Sequence, residues 1–189
     1  MPIRITQEPA ADKLLNEDSF ALLAGMLLDQ QYPMEHAFRG PAKVTERFGT
    51  FDPAAIAAAD PEEFAAMAAT APAIHRFPGS MSSRLQELAR IVTDEYNGDA
   101  SRLWTEAADG KDLVKRVMAL PGFGKQKAQI FVALLGKQYD VRPEGWREAA
   151  GAYGGEGSYL SVADIVDDGS LAKVREYKKA LKAEAKAAG

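Results

Sequence analysis

Nine consecutive residues, Leu120-Pro121-Gly122-Phe123-Gly124-Lys125-Gln126-Lys127-Ala128, restrict the fold of this chain more than any other stretch. Upstream, Leu113, Val114, Val117 and Met118 recur at helical spacing, so Asp112 to Ala119 reads as a helix with one apolar face. Downstream, Ala128, Ile130, Phe131, Ala133, Leu134 and Leu135 form a second apolar helical run. Pro121 lacks an N–H and ends the first helix. Gly122 and Gly124 tolerate positive φ and admit the close approach of another backbone. The chain therefore turns back within a few residues. The second helix starts with unpaired N–H groups beside Lys125 and Lys127, which makes an anion site. The plainer alternative is a helix–turn–helix corner with no ligand. Two glycines, a proline and adjacent lysines together argue against it.

Nearly every other segment also reads as helix. Asp18 or Ser19 caps a helix running to about Gln31, with Phe20, Leu22, Leu23, Met26 and Leu27 apolar. Pro33 opens the next helix, and Gly40-Pro41 is expected to interrupt it. Asp52-Pro53 and Asp60-Pro61 are two cap-plus-proline starts, for short helices over Ala54 to Ala59 and Glu62 to Ala69. Phe77-Pro78-Gly79-Ser80 reads as a turn, followed by a helix from Ser80 to Tyr96. Leu103 and Trp104 lie on a short helix. Gly136 to Gly157 reads as a loop rich in glycine. A short helix starts near Ser161, and the last spans Leu171 to Ala187. No β pattern and no internal repeat is present, so the expected class is all-α.

Composition sets outer limits. Of 189 residues, 47% are hydrophobic, which is enough for a core. There is no cysteine, which excludes disulfides and any cysteine-ligated zinc or iron–sulfur cluster. Only two histidines, His36 and His75, are present, so a histidine metal centre is not expected. No run is long and apolar enough to be a signal h-region or a membrane span. The reading is a cytoplasmic monomer with no membrane partner. The formal charge of -4 does not advertise nucleic-acid binding. Yet Lys111, Lys115, Arg116, Lys125 and Lys127 crowd around the hairpin, and the acids concentrate elsewhere.

The segment Leu120-Pro121-Gly122-Phe123-Gly124 resembles the hairpin motif of the helix-hairpin-helix, Gly/Pro-rich loop (HhH-GPD) superfamily of base excision DNA glycosylases. The resemblance covers roughly Phe20 to Gly151. It implies a two-lobed all-α fold with a DNA cleft between the lobes. A six-helix barrel would span 18–127, and residues 1–17 with 128–189 would form the second lobe. It also implies duplex DNA as partner and a monovalent cation on the carbonyls of Met118, Leu120 and Phe123; with no cysteine to hold the cluster that some relatives carry, no other cofactor is expected.

Cleaving a base from deoxyribose requires a grip on the backbone, a filler for the vacated stack and charge stabilisation at the sugar. Gly122, Phe123, Gly124, Lys125 and Lys127 would supply the grip, which positions without reading sequence. In Leu27-Leu28-Asp29-Gln30-Gln31-Tyr32, a glutamine would enter the duplex, and Gln31 aligns best with the family pattern. An ordinary exposed helix end is the alternative. Phe77 would act as an apolar wedge or else pack in the core. Trp146 and Tyr153, with Tyr159, could stack on a flipped base or serve as packing anchors.

The catalytic position departs from the family. An Asp is expected about 20 residues beyond the second hairpin glycine, and that register holds Glu144. Asp140 stands four residues earlier. Either Glu144 substitutes with its carboxylate displaced by about one bond length, or Asp140 is repositioned, or the site is inactive. Bifunctional relatives carry a nucleophilic lysine two residues after that glycine, where this chain has Gln126. Lys127 lies ~100° further round the helix. The expected enzyme is therefore a monofunctional glycosylase. The alternatives are an inactive module that recognises bent or damaged DNA, and a helical partner-binding protein. The basic last helix reads equally as a DNA-facing arm or a solvated tail.

Overall fold

The computed structural model describes residues 3–189. Among them the chain forms α1 (Pro9–Glu17), α2 (Ser19–Leu28), α3 (Met34–Phe48), α4 (Pro53–Ala58), α5 (Pro61–Ala69), α6 (Pro78–Glu95), α7 (Arg102–Thr105), α8 (Gly110–Met118), α9 (Lys125–Gln138), α10 (Trp146–Ala149) and α11 (Asp168–Ala188). Short 3-10 turns cover Gly151–Gly154 and Val162–Asp164. No strand occurs among the described residues, and none of their helices is long and apolar enough to cross a membrane. The first two residues of the segment assigned to the second lobe lie outside those described.

Side-chain caps set many of these boundaries. Asp18, Asp52 and Asp60 accept hydrogen bonds from the first free N–H groups of α2, α4 and α5. Asp109 and Asp167 do the same for α8 and α11. Each such cap is worth about 1 kcal/mol. Pro53 and Pro61 occupy the first helical turn, where a missing N–H costs nothing.

α2 is apolar on all sides, and Phe20 to Leu28 are all buried. A helix of that kind has to be surrounded. α1, α3 and α6 enclose it, while α4 and α5 pack on α6. The apolar core continues without a break through Phe131 and Leu134 of α9 to Val174 of α11. The hairpin helix α9 is thereby fixed to the α2 side of the molecule.

Several boundaries differ from the expectations. α2 stops at Leu28, and Gln31 takes a left-handed φ of +53°. α3 runs through Pro41 instead of breaking there. Gly40 faces Leu28 so closely that a Cβ would stand 2.4 Å from its Cδ1, so packing against α2 holds α3 in place across the proline. α9 continues past Gly136 to Gln138 and ends where Asp140 adopts φ +58°. Asp is one of the few residues that tolerates that conformation. The glycine-rich stretch holds α10 and a 3-10 turn where a loop was expected. α1 was not foreseen. It packs on α2 and α3, and the Tyr139 hydroxyl donates to the Leu15 carbonyl at 3.3 Å.

Candidate nucleic-acid interface

The hairpin turn closes through Leu120 N–H to the Val117 carbonyl (3.1 Å) and Phe123 N–H to the Leu120 carbonyl (3.3 Å). Gly122 sits at φ +79°, and a Cβ there would lie 2.5 Å from Leu27 Cδ1. Both facts require glycine. Phe123 is buried and meets Phe131 edge-on at 6.3 Å, which anchors the turn to α9. Gly124 precedes α9 with no side-chain cap, and a Cβ built on it meets open space. The first N–H groups of α9 thus face outward beside the exposed Lys125. A phosphate oxygen is the natural partner for such a terminus. Met118 is exposed beside this turn, and Leu120 is buried beneath it.

Gly122 also faces Arg84 of α6, at 3.8 Å from the position of its Cβ. Arg84 Nη1 donates to Gln30 Oε1 at 3.1 Å. His75 completes this junction. Its Nε2 donates to the Gln30 carbonyl at 2.8 Å, and its Nδ1 accepts the Phe77 N–H at 3.0 Å. Those two partners fix the neutral Nε2–H tautomer. Burial holds the ring below the ordinary histidine pKa, which agrees with that form. Tyr32 lies at 4.8 Å over one side of the ring, and Phe77 at 6.0 Å. Gln31 is exposed, and Phe77 keeps 46% of its surface. Positions 31 and 77 therefore lie on two turns that one histidine joins, and both are exposed to solvent. No sequence pattern marks His75. A buried imidazole between two turn backbones leaves no periodic signature.

Lys127 does not face outward with Lys125. Its ammonium donates to the Leu27 carbonyl at 2.7 Å and lies 5.5 Å from the Phe123 ring centre. Burial lowers its pKa from 10.5 to about 8, against the attraction of Asp29. Asp29 keeps 11% of its side-chain surface, and burial raises its pKa although Lys178 and Lys127 oppose the change. Lys178 Nζ stands 3.9 Å from Asp29 Oδ2. On the next turn of α11, Arg175 pairs with the buried Glu35. A polar knot of two acids and three cations thus joins the ends of α2 and α3 to α9 and α11. Asp29 went unremarked in the sequence because its partners lie about 100 and 150 residues away.

The carboxylates of the glycine-rich stretch lie elsewhere. The Glu144 carbonyl accepts the Gly110 N–H at 2.8 Å, and its side chain is exposed. Asp140 is exposed over 85% of its side chain and pairs with Arg142 at 3.2 Å. Both stand beyond the C-terminal end of α9, whose 14 residues span about 20 Å. Trp146 is buried with its ring packed on Gly136, where a Cβ would lie 2.4 Å away. Arg147 covers that ring at 4.5 Å. The chain then runs back along α9. Gln129 donates to the Ala149 carbonyl at 3.0 Å, and Gln126 to the Tyr153 hydroxyl at 2.8 Å. Tyr153 is therefore the aromatic of this stretch that stands at the hairpin end. Among the described residues no cluster of His, Asp and Glu could hold a metal ion.

Gly122 of the hairpin lies beside Arg84, Arg84 binds Gln30, and His75 ties Gln30 to Phe77, so the turns that carry the exposed Gln31 and Phe77 are joined to the hairpin. Comparison with curated proteins and with solved structures finds no match. The family model of the HhH-GPD superfamily base excision DNA repair proteins matches residues 24–188, from within α2 to the end of α11, and the chain belongs to that superfamily.

Proposed function

We propose that this protein is a monofunctional DNA glycosylase that hydrolyses the N-glycosidic bond of a damaged or mismatched base flipped from duplex DNA. The observation that carries the reading is the junction at Leu27, His75 and Arg84, where the hairpin, the Gln30–Gln31 turn and the Phe77 turn meet. In this reading the six-helix barrel of 18–127 and the second lobe of 1–17 with 128–189 flank the cleft. The N–H groups after Gly124, with Lys125, hold phosphate oxygens. Gln31 fills the vacated position while Phe77 presses on the opposite strand, at an unstacking cost of a few kcal/mol. The carbonyls of Met118, Leu120 and Phe123 are neutral oxygen donors of the kind a monovalent cation takes. Bound there, such a cation would supply positive charge for a phosphate.

In hydrolysis, water adds to the sugar C1′ as the base departs and takes up a proton. An ionised carboxylate stabilises the positive charge that develops on the sugar. Glu144 and Asp140 are the candidates, with Glu144 favoured by register. Gln126 replaces the amine a lyase would need, so no covalent imine is expected. One observation favours a second reading, a DNA-recognition module without chemistry. Both carboxylates lie at the end of α9 remote from the hairpin.

Single-turnover base release separates these readings. Substrates are duplexes carrying uracil, an alkylated purine, an oxidised base or a mismatched adenine. The glycosylase reading expects release from at least one, with Glu144→Gln retaining DNA affinity and losing release by orders of magnitude. Loss only in Asp140→Asn moves the role to Asp140. Binding without release from any substrate supports the module, and no binding to duplex at all removes both. Borohydride is expected to trap no protein–DNA adduct.

A further inference from the structure

After Val174 no residue of α11 is buried, and the helix runs on for more than three turns in solvent. Its root is fixed where the hairpin is. Arg175 pairs with Glu35, and Lys178 faces Asp29, the same carboxylate that Lys127 of α9 faces. At ~100° per residue, Arg175, Lys178, Lys179, Lys182 and Lys186 fall within about 100° of arc. Glu176 and Glu184 lie outside that sector. Lys179, Lys182 and Lys186 are exposed and make no hydrogen bond or ion pair among the described residues.

Such a stripe does not hold the helix together. Arg175 with Lys179, Lys178 with Lys182, and Lys182 with Lys186 are like-charge pairs at i,i+4, which oppose helix formation. Neutralisation by a polyanion removes that repulsion. Lys178 to Lys186 spans about 12 Å, the length of three or four successive phosphates at about 3.4 Å per strand. Beyond Arg175, which is paired with Glu35, the stripe carries lysine point charges and no Asn or Gln, so it suits backbone positioning and not base readout.

We propose that α11 is a DNA-backbone arm, whose Lys179, Lys182 and Lys186 engage phosphates of the same duplex the hairpin holds and extend its footprint past the Gln30–Gln31 turn. The inference rests on the duplex-binding reading above, and charge complementarity commits the partner to duplex DNA.

The test measures affinity for a 24-bp duplex across about 50 to 200 mM salt. It compares the full chain, a variant carrying Lys179→Gln, Lys182→Gln and Lys186→Gln together, and the hairpin variant Lys125→Gln. All three arm lysines are solvated, and circular dichroism checks that the fold is kept. At about -0.9 per phosphate, the triple variant should flatten the log–log salt slope by 2 to 3. It should also weaken binding at least tenfold at low salt, additively with Lys125→Gln. If the parent binds through Lys125 while the triple variant keeps its slope and affinity, the arm is overturned and the duplex-binding reading stands. If the parent binds no duplex, both fall. Lysine-dependent binding to phosphatidylserine vesicles, with DNA affinity unchanged in the triple variant, would also overturn the arm and assign the stripe to a membrane surface.

Discussion

Raising the pH from 8 to 10 should stabilise this protein through Lys127. Its ammonium is held against the Leu27 carbonyl in a largely desolvated position, with a pKa lowered from 10.5 to about 8. Between those values the unfolded chain keeps the proton and the native state releases it. The unfolded state then binds more protons, so stability rises with pH. At about 1.4 kcal/mol for each tenfold change in proton affinity, the full effect is about 3 kcal/mol. About 2 kcal/mol of it accrues between pH 8 and pH 10. Burial also lowers the pKa of Lys43, so that residue adds a contribution of the same sign. Burial raises the pKa values of Tyr139 and Tyr96, so their contribution is lost only as pH climbs past the ordinary tyrosine value of 10. Below pH 10 the two lysines therefore dominate the rise. Lys127→Met keeps the aliphatic stem and removes the titration, whereas Lys43 and both tyrosines remain in the variant. Urea unfolding followed by tryptophan fluorescence at intervals from pH 7.5 to 10 gives the two curves. The difference between parent and variant should grow by about 2 kcal/mol across the window. Parallel curves would refute the placement of Lys127 in a desolvated site.

Three further outcomes test the architecture. Gly122→Ala meets both a positive φ and Leu27, so it should cost at least about 1–2 kcal/mol and lower Tm by about 2–4 °C per kcal/mol; Gly124→Ala meets open space and should leave Tm unchanged while weakening duplex binding in a fluorescence titration. Asp164, 4% exposed, accepts from Lys137 at 2.6 Å and from Leu160 N–H at 2.8 Å. Asp164→Ala strands the largely buried Lys137 and should cost about 3–5 kcal/mol by urea unfolding, with Asp164→Asn recovering part of it. His75→Ala removes the bonds to the Gln30 carbonyl and Phe77 N–H. It should destabilise the fold by about 2 kcal/mol and reduce the preference for kinked over straight duplex; an unchanged preference would show that His75 does not organise the two turns.

The helical class, the hairpin and most helix starts were readable in the chain because their causes are local. A cap such as Asp60 acts on N–H groups two and three residues away, and Pro121 and Gly122 act on their own backbone. The break expected at Gly40-Pro41 did not occur. A contact with Leu28, on another helix, outweighs the local penalty of the proline. The loop expected from Gly136 onward began instead at Tyr139. Gly136 is there to admit the Trp146 ring and does not end α9.

The same division runs through the candidate site. Sequence alone determined that a tight glycine turn joins two helices, which residues build it, and that no cysteine-held cluster accompanies it, since each depends on residue type and short spacing. Tertiary structure decided which side chains stand around that turn. Lys127, adjacent to Gln126 in the chain, turns inward to Leu27, and Asp29 becomes the buried centre of a charge knot. Glu144, in family register by counting, lies at the far end of α9. Count along a chain fixes how far a residue can reach. Direction and burial are set by what packs against it, and here those partners come from segments 45 to about 150 residues apart.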